Sequence, residues 1–415
     1  MRLDAVIFGG GATGLWLLDR LSRDGHHVVL LEARSLGAGQ TIGSQAILRR
    51  SRSSTSSSGL ANRVLIVPHG LPSLWRDALL GRITPNLTHT RLRADCCHQW
   101  YVESAGLRVA SPDNPLRPRF DAETLPPEER PSALADVSGP VVRLPEQVLC
   151  PASFIADLAA QYHDRLLKID AERGLKFHLN SPGEVDAIQL ASPFDGQTLE
   201  LRPRQVIFAA DADNARLRRA VGLSEPMQSP RPLHRVLARG RLPLLNGHCV
   251  ESGRTIVTVI SDVDANERTV WQIDGRLAED GWKRESYQQA ERVRQELTRI
   301  LPGLNLTQAE WSTYELDRAE CDADTGPRHD AVSVFCAGNV TTAGPTPFML
   351  APLVSDEITG RASSPYITTP FDPTPLANWP RPSIAPLPWN EEHRTWWTLG
   401  DQPSKDQQQP QRRAA

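Results

Sequence analysis

Residues 9–14 read Gly-Gly-Gly-Ala-Thr-Gly, and few hexapeptides restrict a fold more. The apolar run before them, Leu3 to Phe8, predicts a buried strand. The stretch after them, about residues 12–24, places Leu15, Leu18 and Leu21 on one helical face and stops at Gly25. Val28 to Leu31 predicts a second buried strand, ending at Glu32. A strand–helix–strand unit of this size is what two parallel strands require. Within it, Gly9 permits a tight turn, Gly11 lets a pyrophosphate approach the backbone, and Gly14 lets the helix lie close to the sheet. The amides of Ala12 and Thr13 open the helix, whose N-terminus favours phosphate. Glu32 can accept hydrogen bonds from ribose hydroxyls, and its charge disfavours the extra phosphate of NADP. A glycine turn alone is a weak signal. A glycine turn between this strand and this helix, with an acid at the next strand end, predicts a dinucleotide site.

The chain has 415 residues, enough for two domains, with 40% hydrophobic and 23% charged residues and a net charge of −3. Nothing in that balance suggests a nucleic-acid partner. Six cysteines show no C-x-x-C spacing, His163 and His178 lack a neighbouring second ligand, and no metal site is predicted. The thiols are read as reduced, in a cytoplasmic protein. Asp4, Asp19 and four glycines interrupt the first apolar stretch, so neither a signal peptide nor a spanning helix is expected. Residues 49–58 form a basic, serine-rich run without apolar period, expected as loop. Residues 110–140 are rich in proline and charge and read as an excursion. Further helices are predicted from Pro72, over Ala152 to Lys168, over Ser286 to Ile300 and near 351–360. Strands are predicted at Val185 to Leu190, Gln205 to Ala210 and Val332 to Cys336. Short alternating runs over 233–274 predict an antiparallel sheet.

The loop after Glu32 separates FAD from NAD. Glu32-Ala33-Arg34 leads into Leu36-Gly-Ala-Gly-Gln-Thr-Ile-Gly-Ser-Gln45, a second run of small residues. Here the sequence resembles the D-amino-acid oxidase and glycerol-3-phosphate dehydrogenase superfamily of FAD enzymes. The resemblance implies that Arg34, Gln40, Thr41, Ser44 and Gln45 lie along the flavin pyrophosphate and ribityl chain. It implies that Val185, in Gly183-Glu-Val185, meets the adenine through its backbone. It places Ala210, at the end of Gln205 to Ala210, and Gly338 and Thr342, in Ala337-Gly-Asn-Val-Thr-Thr342, on segments returning to the cofactor. Arg231-Pro-Leu-His234, Gly247-His-Cys249, Trp271, Leu277 to Gly281 and Tyr314 to Glu320 look like substrate-domain features. Trp379 to Trp389 looks like the family's tail. The likeness spans roughly residues 1–390, and its first 45 residues are its most specific part.

The implied fold is α/β. A Rossmann-type FAD-binding domain (1–80, 150–222 and 320–361) interleaves with an α+β substrate domain containing an antiparallel sheet (81–149 and 223–319), before a proline-rich tail (362–415) with a disordered end. The implied reaction moves a hydride from a small CH–OH or CH–NH substrate to the flavin, with an unidentified electron acceptor. His234 and His248 are the candidate bases, since a hydroxyl donor must lose its proton. Arg318 is the candidate clamp for a substrate anion, ahead of Arg231 and Arg235. Trp389, Trp396 and Trp397 read as a lid or as anchors. Three positions depart from the family pattern. Arg49 to Ser58 replaces a glycine turn, Asp211 and Asp213 stand where small residues are usual, and Pro347 stands where many members have lysine. Two rival readings follow: a degenerate flavin-binding protein without catalysis, and an NAD-dependent dehydrogenase.

Overall fold

The computed structural model describes residues 1–49, 65–66, 70–102, 122–224, 228–321 and 331–399. The serine run from residue 50 and the terminal glutamine-rich segment lie outside them. The chain divides into two compact units: Met1–Arg91, Cys150–Arg231 and Arg318–Ala385, and Leu92–Leu149, Pro232–Asp317 and Pro386–Ala415. The predicted separate tail is therefore shared out. Residues 362–385 pack into the first unit, and residues 386–399 belong to the second.

The first unit is built on β1 (Arg2–Phe8), α1 (Ala12–Arg23) and β2 (Val28–Glu32), as the glycine spacing predicts. Among the described residues its sheet has eight strands. The main path runs Leu175–Ser181, Glu184–Ala191, Thr198–Phe208, β1, β2, Leu166–Lys168, with Val340–Ala343 also pairing along Thr198–Phe208. The pairings of β1 with β2 and with Thr198–Phe208 are parallel, so Phe8, Leu31 and Phe208 end at one edge of the sheet. Val6, Phe8, Val29, Leu31, Val206 and Phe208 make one core with Trp379. On the sheet's other side α1 packs against the helix Ala351–Thr359. There Trp16 and Trp75 meet edge to face at 4.7 Å. Trp75 donates its indole N–H to Met349 O at 2.9 Å.

One predicted helix is too long. The helix expected over 152–168 spans Pro151–Gln161, and Leu166–Lys168 is a strand. Leu166 and Leu167 are buried because they pair in parallel with Leu30 and Leu31. A short apolar run beside a helix carries no periodicity of its own, so pattern alone cannot separate the two.

The second unit carries a nine-stranded sheet among the described residues. Its order is Trp397–Thr398, Glu310–Cys321, Gln228–Gly240, Thr269–Asp274, Arg254–Val263, Gly247–Glu251, Cys97–Tyr101, Val141–Leu144, Glu123–Thr124. The alternating runs over 233–274 do form antiparallel hairpins. Gly247–Glu251 pairs with Cys97–Tyr101 in parallel. One face of this sheet is a hydrocarbon core. Trp100, Cys249, Val257, Val259, Trp271, Ile273 and Trp311 pack there with Ala290, Val293, Leu297 and Ile300 of the helix Ser286–Ile300. Trp271 adds a bond from its indole N–H to Pro243 O at 2.8 Å. Each large aliphatic side chain among them contributes roughly 1.5–3 kcal/mol through burial.

The tail tryptophans act as anchors. Trp389 is buried under the Arg93 guanidinium at 5.1 Å, Trp396 lies under Arg239 at 3.9 Å, and Trp397 pairs in the sheet opposite Trp311. Among the described residues, no helix is long and apolar enough to cross a membrane.

Candidate functional site

The glycine turn sits at the edge where β1, β2 and Thr198–Phe208 end together. Gly9 has φ +108°, and a Cβ on it would come within 2.4 Å of Ala209 O. A Cβ on Gly14 would stand 1.9 Å from Gly9 O, so the helix can close onto the turn only through glycine. Gly11 differs. Its φ is −80°, and an added Cβ would meet Thr41 Oγ1 alone, at 3.1 Å. Two of the three glycines thus serve the fold, while the third leaves room above the first turn of α1.

The surrounding residues are tied to this turn. Glu32 accepts the Gly10 N–H on one carboxylate oxygen and the Arg34 N–H on the other, both at 2.6 Å. Burial raises its pKa, against the lowering effect of those two amides. A carboxylate offers about four acceptor positions, so capacity remains for ribose hydroxyls. Ala33 O accepts from Lys168 Nζ at 2.8 Å. Thr41 Oγ1 accepts the Ala12 N–H at 3.0 Å, which brings the second small-residue loop against the start of α1. Ala12 and Gly14 are buried, whereas Gly11 and Thr13 keep partial exposure. On that second loop, Gln40 Nε2 and Ser44 Oγ are buried atoms with no hydrogen-bond partner among the described residues. An unsatisfied buried polar atom costs about 1–3 kcal/mol. These two stand where the resemblance puts the pyrophosphate and ribityl chain, and a polyhydroxylated phosphate ligand would satisfy both. The residues present therefore fit FAD. Gln45 is partly exposed on the same loop.

The departures at the end of Thr198–Phe208 can be read directly. Asp211 adopts the left-handed conformation at φ +47°, the shape that a glycine of the usual run would supply without strain. Ala210 N–H is held by Asn214 Oδ1 at 2.9 Å, and Asn214 Nδ2 holds Ala343 O at 2.9 Å. Asp213 is paired, with Arg34 at 3.4 Å and Arg216 at 3.8 Å, which offsets its repulsion of a phosphate. Asp211 is different: it keeps partial exposure, yet desolvation of its carboxyl by the packed turn pushes it up to about 7, Arg34 opposes the shift and Asp213 adds to it. The ordinary value is 3.8, so its native form favours the proton. Stability from this group is complete below about 4 and is lost as the pH rises through about 7. FAD affinity should fall as the pH rises through about 7, where an anion forms beside the Gly9 turn. Asp211→Asn tolerates the left-handed backbone and cannot ionise. Fluorescence titration of apoprotein with FAD, about one unit either side of that pKa, should show a roughly fivefold weakening in the parent protein and none in the variant. Equal pH dependence in both would remove Asp211 from the account.

Other predicted cofactor positions have protein partners. The backbone N–H and C=O of Val185 are both bonded to the Asn339 side-chain amide, each at 2.9 Å, so the groups expected at the adenine are already engaged. Gly338 turns at φ +57° against Gly183, where a Cβ would come within 2.3 Å of Gly183 O. It lies in the turn before Val340–Ala343, whose Val340 pairs with Val206, and so sits more than about 10 Å along the strand from the Gly9 edge. Thr342, fully buried, accepts from Arg218 Nη1 at 3.0 Å. The structure gives Val185, Gly338 and Thr342 work inside the first unit's own packing. Pro347 precedes the 3-10 turn Phe348–Leu350.

The second unit holds the remaining candidates, and its strand register sorts them. Leu237 pairs with Gln272, His248 with Thr258, and Thr258 with Asp274, so these side chains share the face opposite the tryptophan core. Arg235 joins them by alternation. This face is buried, and its polar side chains stand among Leu237, Ile260 and Val270. Gln272 Nε2 donates to Tyr314 Oη at 2.6 Å, and Arg235 Nη2 meets Asp274 Oδ2 at 2.5 Å. Burial works against the Arg235 charge, but Asp274 and Tyr314 outweigh it and raise the pKa. Arg93 Nε meets Asp262 Oδ2 at 2.7 Å, with both side chains 1% exposed. His248 Nδ1 lies 3.0 Å from Thr258 Oγ1, and its Nε2 lies 3.6 Å from Glu146 Oε2.

His234 falls on the other face, with Val236 and Ala238 of the core. Its Nδ1 bonds Gly281 O at 3.2 Å, and its carbonyl accepts Gln289 Nε2 at 3.1 Å. Burial lowers its pKa, against the pull of the Gly281 carbonyl and Glu315, which keeps the ring neutral. The sequence could not reveal that the two histidines lie on opposite faces. The backbone of Arg318 lies in the strand Glu310–Cys321, and its side chain is outside the described set. Sequence reasoning missed the Arg235–Asp274 and Gln272–Tyr314 pairs. Their signal was polar residues inside runs that otherwise read as buried strand.

A glycine turn closed onto a helix, with a second small-residue loop against it, marks the first unit as a nucleotide-cofactor domain. The chain belongs to the FAD dependent oxidoreductase family, whose model matches residues 4–361. It is 31% identical over 394 residues to a probable FAD-dependent oxidoreductase of Pseudomonas aeruginosa, covering 94% of this chain and 98% of that one. The crystal structure of the P. aeruginosa FAD-dependent oxidoreductase superposes with a TM-score of 0.76 at 29% identity, with the same coverage of each chain. Glycine oxidase from Geobacillus kaustophilus shares the fold at a TM-score of 0.56 and 17% identity, covering 90% of this chain and 98% of that one. The L-alpha-glycerophosphate oxidase of Mycoplasma pneumoniae, solved with FAD bound, gives 0.57 at 12% identity over 86% and 94%. The cofactor is FAD, and the NAD alternative is set aside.

Proposed function

We infer that this FAD-dependent oxidoreductase oxidises a small molecule at a C–H bond beside oxygen or nitrogen, with the first unit holding FAD and the second holding substrate. When bound, FAD supplies the two-electron acceptor for a hydride. The chain supplies the rest. The Gly9–Gly14 turn and the Thr13 amide at the start of α1 take the pyrophosphate, Glu32 takes the adenosine ribose, and Gln40 and Ser44 meet phosphate or ribityl oxygens. The observation that carries the substrate reading is the buried face of His248, Thr258, Gln272, Asp274, Arg235 and Tyr314. A face needed only for packing would be apolar like its reverse, since burying polar groups gains little even when they are bonded.

The two donor classes part at His248. A CH–OH substrate must give up its hydroxyl proton, and His248 is the histidine on the polar face. A neutral amine can release hydride without a strong base. His248→Asn should therefore slow flavin reduction by ~10²–10⁴-fold with a hydroxyl donor, and much less with an amine. Arg318→Lys should raise the half-saturating concentration of an anionic substrate about tenfold, because lysine keeps the charge and loses the planar fork. Anaerobic stopped-flow reduction, at equal flavin content, measures both. Parental rates and saturation in the two variants would place the substrate elsewhere.

A further inference from the structure

Cys97, Glu146 and His248 come from three separate parts of the second unit. Cys97 lies on the strand Cys97–Tyr101, His248 on Gly247–Glu251, and Glu146 just beyond Val141–Leu144. The sheet makes these neighbours. Gly247 pairs with His98 in parallel, and Cys97 pairs with Leu144. The side chains end with one donor atom each, a thiol sulfur, a carboxylate oxygen and an imidazole nitrogen, all within 4.8 Å of one another. All three residues are buried, at 0%, 2% and 5% exposure. Thr258 Oγ1 occupies Nδ1 of His248 at 3.0 Å, which leaves Nε2 as the nitrogen beside Glu146.

We propose that Cys97, Glu146 and His248 bind a divalent transition-metal ion, zinc by the chemistry of the donors. Sulfur, imidazole and carboxylate are the three ligand types zinc takes, and three protein ligands leave a fourth tetrahedral position for water. The charges balance: a thiolate and a carboxylate match the ion's two positive charges. On binding, the Cys97 thiol releases its proton to solvent as the sulfur–metal bond forms. The hydroxyl of Thr258 fixes the ring tautomer and the ring's aim, the usual task of a group behind a metal-bound histidine. A thiol nucleophile triad is the other chemistry these residue types can perform. It would need the carboxylate and the thiol at opposite ring nitrogens, whereas Nδ1 is held by the threonine and the carboxylate lies beside Nε2. The ion would pin the parallel junction of the sheet. It would also claim the imidazole of His248, which favours the amine class of donor. The assignment rests on the second unit alone and does not depend on the substrate reading.

The test uses the full-length, flavin-loaded, tag-free protein. It is dialysed against a chelator and then titrated with zinc against a competing indicator, and separately with cobalt(II). The expected result is one zinc per chain. Cys97→Ser and Glu146→Gln should each weaken affinity on the order of a hundredfold or more. Thr258→Val should weaken it about 10–100-fold. Cobalt should give intense tetrahedral bands at longer wavelength than the flavin absorption, lost in Cys97→Ser. Flavin content monitors folding in every variant. A parent protein that takes up no zinc above background, or variants that fold and bind it equally well, would overturn the proposal. So would a cobalt spectrum of the weak octahedral type.

Discussion

Gly11→Asp is expected to give a folded and colourless protein. The substituted residue keeps an ordinary backbone at φ −80°, and its first side-chain carbon meets only Thr41 Oγ1 at 3.1 Å, so the apoprotein should assemble. The carboxylate would stand over the first turn of α1, where a pyrophosphate has to lie. At about 4 Å and an effective dielectric of ~20, each like-charge pair costs roughly 4 kcal/mol, or a thousandfold in affinity. Gly11→Ala removes the charge and should keep most of the flavin. Gly14→Ala is the converse control. Its methyl group would stand 1.9 Å from Gly9 O, and both fold and flavin should suffer. Circular dichroism and the flavin-to-protein absorbance ratio measure the three variants. Gly11→Asp protein with parental flavin content would remove the pyrophosphate from this turn.

The second large effect concerns the ion pair of Arg93 and Asp262. Its side chains are almost wholly out of water and meet at 2.7 Å. Asp262→Ala leaves the guanidinium buried without its counter-charge. It also deprives Val263 N–H of Asp262 Oδ1, now at 2.9 Å. The expected cost is about 3–5 kcal/mol. Replacing both members, Arg93→Met with Asp262→Leu, should recover most of that loss, because neither charge then has to be desolvated. The urea midpoint followed by tryptophan fluorescence compares the two. The second unit holds Trp100, Trp271, Trp311 and Trp389, so the signal reports on the right region. A double variant as unstable as the single one would show that the pair acts through packing rather than charge.

Local pattern made the start of the first unit and the alternating strands of the second legible, and long-range pairing hid parts of both. β1, α1, β2, Gly9, Gly11, Gly14 and Glu32 follow from residues next to one another in the chain, where periodicity and glycine geometry suffice. The loop holding Gln40, Thr41 and Ser44 could be placed because it follows at once. Leu166–Lys168 could not, since its identity as a strand comes from Leu30 and Leu31, more than a hundred residues earlier. The same holds for Val185, whose partner Asn339 lies beyond the range of any local rule. His234 and His248 both fall in the alternating stretch 233–274. Strand register alone puts one against the core and the other on the polar face. Cys97, Glu146 and His248 show no shared spacing for the same reason. Asp211 was visible as a departure, but its left-handed backbone and raised pKa belong to the folded chain.

Anaerobic reduction of the bound flavin tests the central claim most directly. The purified protein should show the oxidised flavin bands. Under exclusion of oxygen, some member of a panel of small amines, amino acids, hydroxy acids and polyols should bleach them at a rate that saturates with concentration. One equivalent of donor should be consumed per flavin. A protein whose flavin is reduced by dithionite, and by no donor in either the amine or the hydroxyl series, would contradict the account and leave a flavin-binding protein without this chemistry.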